Sequence, residues 1–235
     1  MSSNDQHSSA PRRNFLRKTA GGAAALLFAT LASPFKLGAK NNETETNMLI
    51  SSNDKSDAEV WFDQITGKHK MVFDITKHNG GMFLTFVFNF LESNNKTGTP
   101  DKDLSVVVSL RHYGIVLAMN DSIWEKYAVA EHVELKDAET KEFAKRNVFW
   151  DPKLTDAFPK NKSMKHLQSR GVRFSVCDTA VDSFAEWMAE EMKLDKSDVK
   201  KDFYANILPD IQLVPSGLWA LGRAQEHGCG YCAGQ

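Results

Sequence analysis

Cys177 is the residue whose type and position most directly suggest chemistry. It follows a short apolar run that is typical of a strand, and a helical pattern comes after it. A thiol at that place would lie at a helix N-terminus, where amide groups stabilise the thiolate that attacks or accepts sulfur. The alternative is a small buried core residue, because free cysteine is among the most buried residue types.

Arg111 and His112 are the basic residues that would assist such a thiol. They follow the apolar run 104–110, so they would lie at the end of a second strand. A guanidinium and an imidazole beside Cys177 would hold an anionic or sulfane-sulfur ligand. The alternative for His112 is a hydrogen-bonded structural residue.

A second pair of thiols lies near the end of the chain, in Cys229-Gly230-Tyr231-Cys232. This CxxC spacing serves dithiol redox chemistry or supplies half of a four-ligand metal site. A structural disulfide and a pair of idle thiols are the alternatives, and an oxidising compartment favours the disulfide. A mixed site of His112, Cys177 and the CxxC pair would suit zinc or copper.

Strand and helix patterns alternate along the body of the chain and must position these residues. Strands are predicted, in chain order, at 71–75, 104–110, 172–176 and 207–214. The run Val106-Val107-Val108 is typical of a strand that is covered on both faces. Long crossovers between strands favour a parallel sheet. We therefore predict an α/β fold: a single domain with a mainly parallel β-sheet and helices on both faces.

Helices are predicted from apolar spacing and from capping signals. An apolar helix is expected at 82–91, and a short helix at 163–170 is closed by Gly171. A helical apolar face follows Cys177, and a last helix begins after Ser216, whose side chain suits an N-cap.

The ends of the predicted strands form the candidate ligand site. Ligands of open parallel sheets bind at the carboxyl ends of the strands. Those ends carry Arg111-His112, Cys177-Asp178 and Pro215-Ser216. Asn120, Asp178 and Ser216 are therefore candidate ligand-binding residues beside the catalytic candidates Cys177, His112 and Arg111. No metal site and no cofactor is assigned.

The N-terminal residues resemble a twin-arginine export signal, carried by Arg12, Arg13, Phe15 and Leu16. A weakly apolar stretch at 19–31 follows, too short to span a bilayer. A basic amphipathic helix or a chance arginine pair is the alternative. We predict a signal peptide at 1–39, a polar linker at 40–59 and the folded domain at 60–235. The resemblance implies export to the periplasm by the twin-arginine machinery, with no stable membrane anchor.

The charge of the chain argues against nucleic-acid binding. The whole chain has 29 basic and 30 acidic residues and a net charge of −1. Five of the basic residues but only one acidic residue lie within 1–39. The remaining chain is therefore clearly acidic, and electrostatic attraction to a phosphate backbone is not expected.

The body of the chain resembles the DsrE/DsrF-like superfamily, which includes sulfur-relay proteins. The resemblance is carried by an ordered series of segments: Asn89-Phe90-Leu91, Val106-Val107-Val108, residues 171–177, residues 214–217 and residues 225–231. It implies that Cys177 carries sulfur as a persulfide and that the chain forms a homo-oligomer. The Arg111-His112-Tyr113-Gly114 segment departs from the short His-Gly turn of many relatives.

These observations lead to one hypothesis and two alternatives. The leading hypothesis is an exported protein that handles sulfur or thiols, or binds a small ligand at the strand ends, with Cys177 as the reactive thiol. One alternative is a periplasmic metal-binding protein that uses His112 and the cysteines. The other is a non-catalytic subunit of a homo-oligomer. Whether the protein is an enzyme is left open at this point.

Overall fold

The computed structural model describes residues 56–138 and 140–234. The predicted signal peptide 1–39 lies outside this range, as does the predicted linker 40–59 up to residue 55.

Five parallel strands form one sheet in the described residues, in the spatial order β4-β3-β2-β1-β5. In chain order they are β1 (His69–Ile75), β2 (Leu104–Leu110), β3 (Arg173–Cys177), β4 (Ile211–Val214) and β5 (Gly230–Ala233). Helices surround the sheet, so the predicted α/β fold with a mainly parallel sheet is confirmed.

The α-helices of the described residues alternate with these strands. In chain order they are α1 (Asp57–Asp63), α2 (Met82–Lys96), α3 (Asp121–Lys126), α4 (Val129–His132), α5 (Met164–Ser169), α6 (Asp178–Met192), α7 (Lys196–Ala205) and α8 (Gly217–Glu226). A 3₁₀ segment, His112–Ala118, follows β2 directly.

The two faces of the sheet are covered by different helices. Phe73, Val108 and Val176 point from one face into a large apolar core that includes side chains of α2 through α7. Val72 and Val107 point from the other face against α1 and α8. Successive strand residues point to opposite faces, and all seven residues of β2 are buried because helices cover both faces of the sheet.

The chain changes face between β3 and β4. The helix after β3, α6, packs on the large-core face, whereas α8, which follows β4, packs on the opposite face. The two connections therefore leave neighbouring strand ends in opposite directions and open a crevice between them. Such a crevice is the general ligand position in open α/β sheets.

The fourth strand is shorter than the sequence predicts. β4 begins at Ile211, although the apolar pattern begins at residue 207. Pro209 has no N–H for a ladder hydrogen bond, and Asp210 takes a positive φ of 59° that turns the chain. Ile207 forms an isolated antiparallel bridge with Met119 instead.

The sequence patterns do not predict α1, α7 or β5. α1 begins at Asp57, three residues before the predicted domain start, and buries Phe62 against the sheet. β5 has only four residues and is mostly exposed, so it carries no alternating apolar pattern. Within the described part of the chain, none of the helices combines the length and the apolar character that a membrane crossing requires.

Candidate functional site

A pocket of about 460 Å³ lies at the crevice between the ends of β3 and β4. This volume is within the range of small-molecule sites. Its lining comes from the end of β2, the 3₁₀ segment, α6 and the start of α8. The residues that line it are Arg111, His112, Tyr113, Cys177, Thr179, Ala180, Ser183, Phe184, Trp187, Ser216, Gly217 and Leu218. The pocket therefore brings together four predicted site residues: Arg111, His112, Cys177 and Ser216.

Cys177 ends β3 and caps α6 with its sulfur. The backbone N–H of Ala180 donates a hydrogen bond to Cys177 Sγ at 3.4 Å. Only 6% of the residue is exposed, and it is one of the residues that line the pocket. α6 is 15 residues long, so the sulfur lies at the N-terminus of a long helix and accepts one of its first free N–H groups.

Ser216 caps α8 on the other side of the crevice. Its hydroxyl oxygen accepts a hydrogen bond from the backbone N–H of Trp219 at 3.2 Å. Two helix N-termini, those of α6 and α8, thus lie next to each other at the pocket. The prediction that Ser216 caps the last helix is confirmed.

Arg111 is held by Asp74 rather than left free for a ligand. Its Nε donates to Oδ1 of Asp74 at 2.7 Å, and its Nη2 donates to Oδ2 at 2.8 Å. The Tyr231 hydroxyl donates to the same Oδ2 at 2.9 Å. These bonds raise the pKa of Arg111 above its ordinary value and also raise the pKa of Tyr231. The charge of Arg111 is therefore matched within the protein, which the sequence does not predict.

Gly217 allows Arg111 to lie against α8. A Cβ atom added at this glycine would lie 2.5 Å from Cβ of Arg111 and 2.9 Å from its Cδ. A larger residue would therefore displace the arginine or the first turn of α8.

His112 lines the same pocket with an unusual backbone. Its φ is 52°, in the left-handed region that non-glycine residues rarely occupy. Its ring contacts the edge of Tyr113 at a centroid distance of 4.5 Å. Strained backbone of this kind tends to occur at functional sites, where neighbouring structure holds it in place.

Asp178 and Asn120 do not line the pocket. Asp178 Oδ1 accepts a hydrogen bond from the Tyr204 hydroxyl at 2.5 Å, and burial together with this bond raises the pKa of Tyr204. Asn120 caps α3 through bonds to the N–H groups of Ser122 and Ile123, and its amide donates to Asn206 at 2.8 Å. Both side chains thus have structural partners outside the pocket lining, and their ligand-binding role stays a prediction.

The CxxC pair does not form a compact dithiol. Cys229 packs against the face covered by α1 and α8, whereas Cys232 packs against the opposite core. An extended strand advances about 3.3 Å per residue, so Cα atoms three residues apart lie roughly 10 Å apart, beyond disulfide reach. Both cysteines are free, as is Cys177. Burial raises the pKa of Cys229 to about 11, which keeps it a neutral thiol.

The structure does not bring the predicted mixed metal ligands together. Three strand spacings separate β3, which ends at Cys177, from β5, which carries Cys232. At about 4.8 Å per spacing this is roughly 14 Å, far beyond the span of one metal site. In residues 56–138 and 140–234 no group of three or more His, Cys, Asp or Glu side chains is arranged to hold a metal ion.

Several site residues are not recognised from the sequence. Asp74 is a carboxylate within the apolar run Met71-Val72-Phe73-Asp74-Ile75. Because a buried carboxylate needs a partner, this position could have indicated an ion pair. Phe184 and Trp187 fit the apolar face of α6, and that pattern does not distinguish a pocket wall from a core. No local sequence pattern identifies Tyr113 or Leu218 as pocket residues. They line the pocket because the 3₁₀ segment after β2 and the start of α8 come together in the fold.

Fold and pocket together define an α/β protein with a ligand-sized pocket at the carboxyl edge of its sheet. No protein-family model matches the chain. No curated protein matches it either. Among solved structures, a protein of unknown function from Methanobacterium thermoautotrophicum is similar, with 14% identity and a TM-score of 0.37 over 70% of this chain and 98% of that one.

Proposed function

We propose that this protein binds a small sulfur-bearing ligand in the pocket and that Cys177 accepts sulfane sulfur from it. The observation that supports this function best is the hydrogen bond from the Ala180 N–H to Cys177 Sγ, since both residues line a pocket of about 460 Å³. A thiol that only fills the core does not require a ligand-sized pocket next to it.

The proposed step moves one sulfur atom and involves no external oxidant. The Cys177 thiolate attacks the terminal sulfur of a persulfide R–S–SH. A new S–S bond forms to Cys177 while the S–S bond within the donor breaks. The terminal sulfur keeps its hydrogen, and the departing R–S⁻ takes up the proton that Cys177 released. His112, which lines the same pocket, is the titratable group suited to carry that proton.

Intact-mass measurement tests this function. Purified residues 40–235 are prepared in reduced form and incubated with glutathione persulfide. We expect a mass increase of one sulfur atom in wild type and in the double variant Cys229→Ala, Cys232→Ala. Cys177→Ser should show no gain. An equal gain in Cys177→Ser would overturn the proposal, and so would no gain in a wild-type protein that is folded by circular dichroism.

Export by the twin-arginine route is a second part of the proposal. The sequence pattern of Arg12, Arg13, Phe15 and Leu16 supports it. Cell fractionation of a strain that expresses the full chain is the direct test. The wild type should be found in the periplasmic fraction, and Arg12→Lys with Arg13→Lys should retain the chain in the cytoplasm. Equal distribution of the two forms would contradict the export signal.

A further inference from the structure

The lining of the pocket combines apolar side chains with a few polar groups. Tyr113, Phe184 and Trp187 form a three-ring cluster with edge-to-face contacts at centroid distances of 5.4 to 6.4 Å. Leu218, at the start of α8, adds an apolar side chain from another element, and we call these four side chains the apolar wall. The polar groups of the lining include Cys177 and Ser216, which cap α6 and α8. A ligand that fills this pocket therefore meets both apolar side chains and polar groups.

Three side chains of the apolar wall are exposed. Tyr113 is 40% exposed, Trp187 is 38% exposed and Leu218 is 69% exposed. Clustered apolar side chains that line a pocket gain free energy when a ligand removes them from water. We therefore expect the apolar group of the ligand, as well as its sulfur, to contribute to the free energy of binding.

The charged side chains of the lining offer little to small inorganic anions. Arg111 is the one permanently charged residue among the described residues that line the pocket, and both oxygens of Asp74 already bind it. An inorganic dianion such as thiosulfate would lose its hydration and gain only the partial positive charge of the two helix N-termini, with no unmatched, permanently charged side chain. A ligand with a single sulfur at the end of an apolar group avoids that cost.

We infer that the ligand is an organic thiol or persulfide with an aromatic or comparably apolar group. Its ring packs between Trp187, Tyr113 and Leu218, and its sulfur points to Cys177. The inference rests on the proposed function for the placement of the sulfur. The apolar subsite stands on the geometry of the walls alone.

Binding to the unreactive Cys177→Ser variant tests the subsite apart from any sulfur transfer. The probes are benzyl mercaptan, 2-mercaptoethanol and thiosulfate, measured by titration calorimetry or ligand-observed NMR. We expect benzyl mercaptan to bind about tenfold or more tightly than 2-mercaptoethanol, as burial of one aromatic ring predicts, and thiosulfate to bind weakest. Equal affinity for the two thiols, or tighter binding of thiosulfate, would overturn the inference.

Wall variants locate the preference. In the Cys177→Ser background, Leu218→Ser and Trp187→Ala should each remove most of the advantage of benzyl mercaptan. Leu154→Ser is the matched control, because Leu154 is 100% exposed and does not line the pocket. An unchanged preference in a folded Leu218→Ser variant would contradict the assignment even if Trp187→Ala were poorly folded.

The two proposals fail in distinguishable ways. If Cys177→Ser binds benzyl mercaptan selectively but wild type takes no sulfur from a persulfide, the apolar subsite stands and the transfer function fails. If wild type takes sulfur at Cys177 from every donor and the Cys177→Ser variant shows no preference, the transfer function stands and the inferred ligand class is wrong.

Discussion

Arg111 and Asp74 form a two-point ion pair, with Nε to Oδ1 at 2.7 Å and Nη2 to Oδ2 at 2.8 Å. The side chain of Asp74 is almost completely buried, whereas that of Arg111 is about one quarter exposed and reaches the pocket. The pair ties β1 to the lining of the pocket. It also leaves the described residues of the lining without an unmatched, permanently charged side chain.

The Asp74→Asn variant should separate these two roles. The loss of the carboxylate leaves a partly buried guanidinium without its partner, and we expect a loss of about 2–3 kcal/mol in the free energy of unfolding. The freed Arg111 should also bind thiosulfate more tightly than in wild type. Urea unfolding and thiosulfate titration measure the two effects. Tyr231→Phe is the control, because it removes only one neutral donor and should cost about 1 kcal/mol. Equal stability of the two variants would contradict the importance of the ion pair.

Two glycines of α8 provide a matched pair of substitutions. Gly217→Ala places a Cβ 2.5 Å from Arg111 and should lower the free energy of unfolding by about 1–3 kcal/mol. In Gly222→Ala the added Cβ has no neighbouring atom within 4 Å. This variant should raise the free energy of unfolding by up to about 1 kcal/mol, since alanine favours a helix. Thermal or urea unfolding measures both. If both variants changed the free energy of unfolding in the same direction, the close approach of Gly217 to Arg111 would not be required for stability.

Arg170 should contribute stability that is lost in acid. Its guanidinium bonds both oxygens of Asp101, at 2.8 and 2.9 Å, and lowers the pKa of that carboxyl below its ordinary value. A carboxyl whose pKa is lower in the folded state stabilises the protein above its unfolded pKa of about 4, and this contribution is lost as the pH falls through the folded pKa.

The Arg170→Met variant measures this contribution. We expect it to be about 2 kcal/mol less stable than wild type at pH 7 and to approach wild-type stability as the pH falls below about 4. Lys201→Met is the control, since Lys201 and Asp198 are exposed and 3.7 Å apart, and it should change stability by a few tenths of a kcal/mol or less. A difference between Arg170→Met and wild type that stays constant between pH 7 and pH 3 would contradict the role of Asp101.

Cys229 should make the protein sensitive to alkali. Burial raises its pKa from 9.0 to about 11. The unfolded state therefore releases the thiol proton at lower pH than the folded state, and the free energy of unfolding should fall as the pH rises from about 9 towards 11. Urea unfolding under reducing conditions should show this fall in wild type and a shallower one in Cys229→Ala. An identical slope in wild type and in Cys229→Ala would exclude the effect.

The sequence predicts the part of the site that follows from topology. Parallel strands bring their carboxyl ends to one edge, so Arg111, His112 and Cys177 meet as expected once β2 and β3 are neighbours. The N-cap role of Ser216 follows from local chemistry, because a serine before a helical pattern satisfies the first free N–H groups.

The rest of the site depends on contacts between distant segments. Asp74 and Arg111 are 37 positions apart, and Tyr231 reaches Asp74 from the last strand. No local sequence pattern predicts a contact between residues that are so far apart in the chain. The contact of Asn120 with Asn206 is not predicted for the same reason, since the two residues are 86 positions apart. The edge strand β5 is missed because its four residues, three of them exposed, lack an apolar alternation.

Site-resolved mass spectrometry of the sulfur taken up by the reduced wild-type protein tests the central claim most directly. Cys232 is more exposed than Cys177, so exposure alone would direct a persulfide donor to Cys232. We predict that, at limiting donor, the extra sulfur is found first on the peptide that contains Cys177, with release of one donor thiol for each sulfur transferred. Sulfur on the Cys232 peptide with an unmodified Cys177 peptide would contradict the assignment of Cys177 as the reactive residue of this pocket.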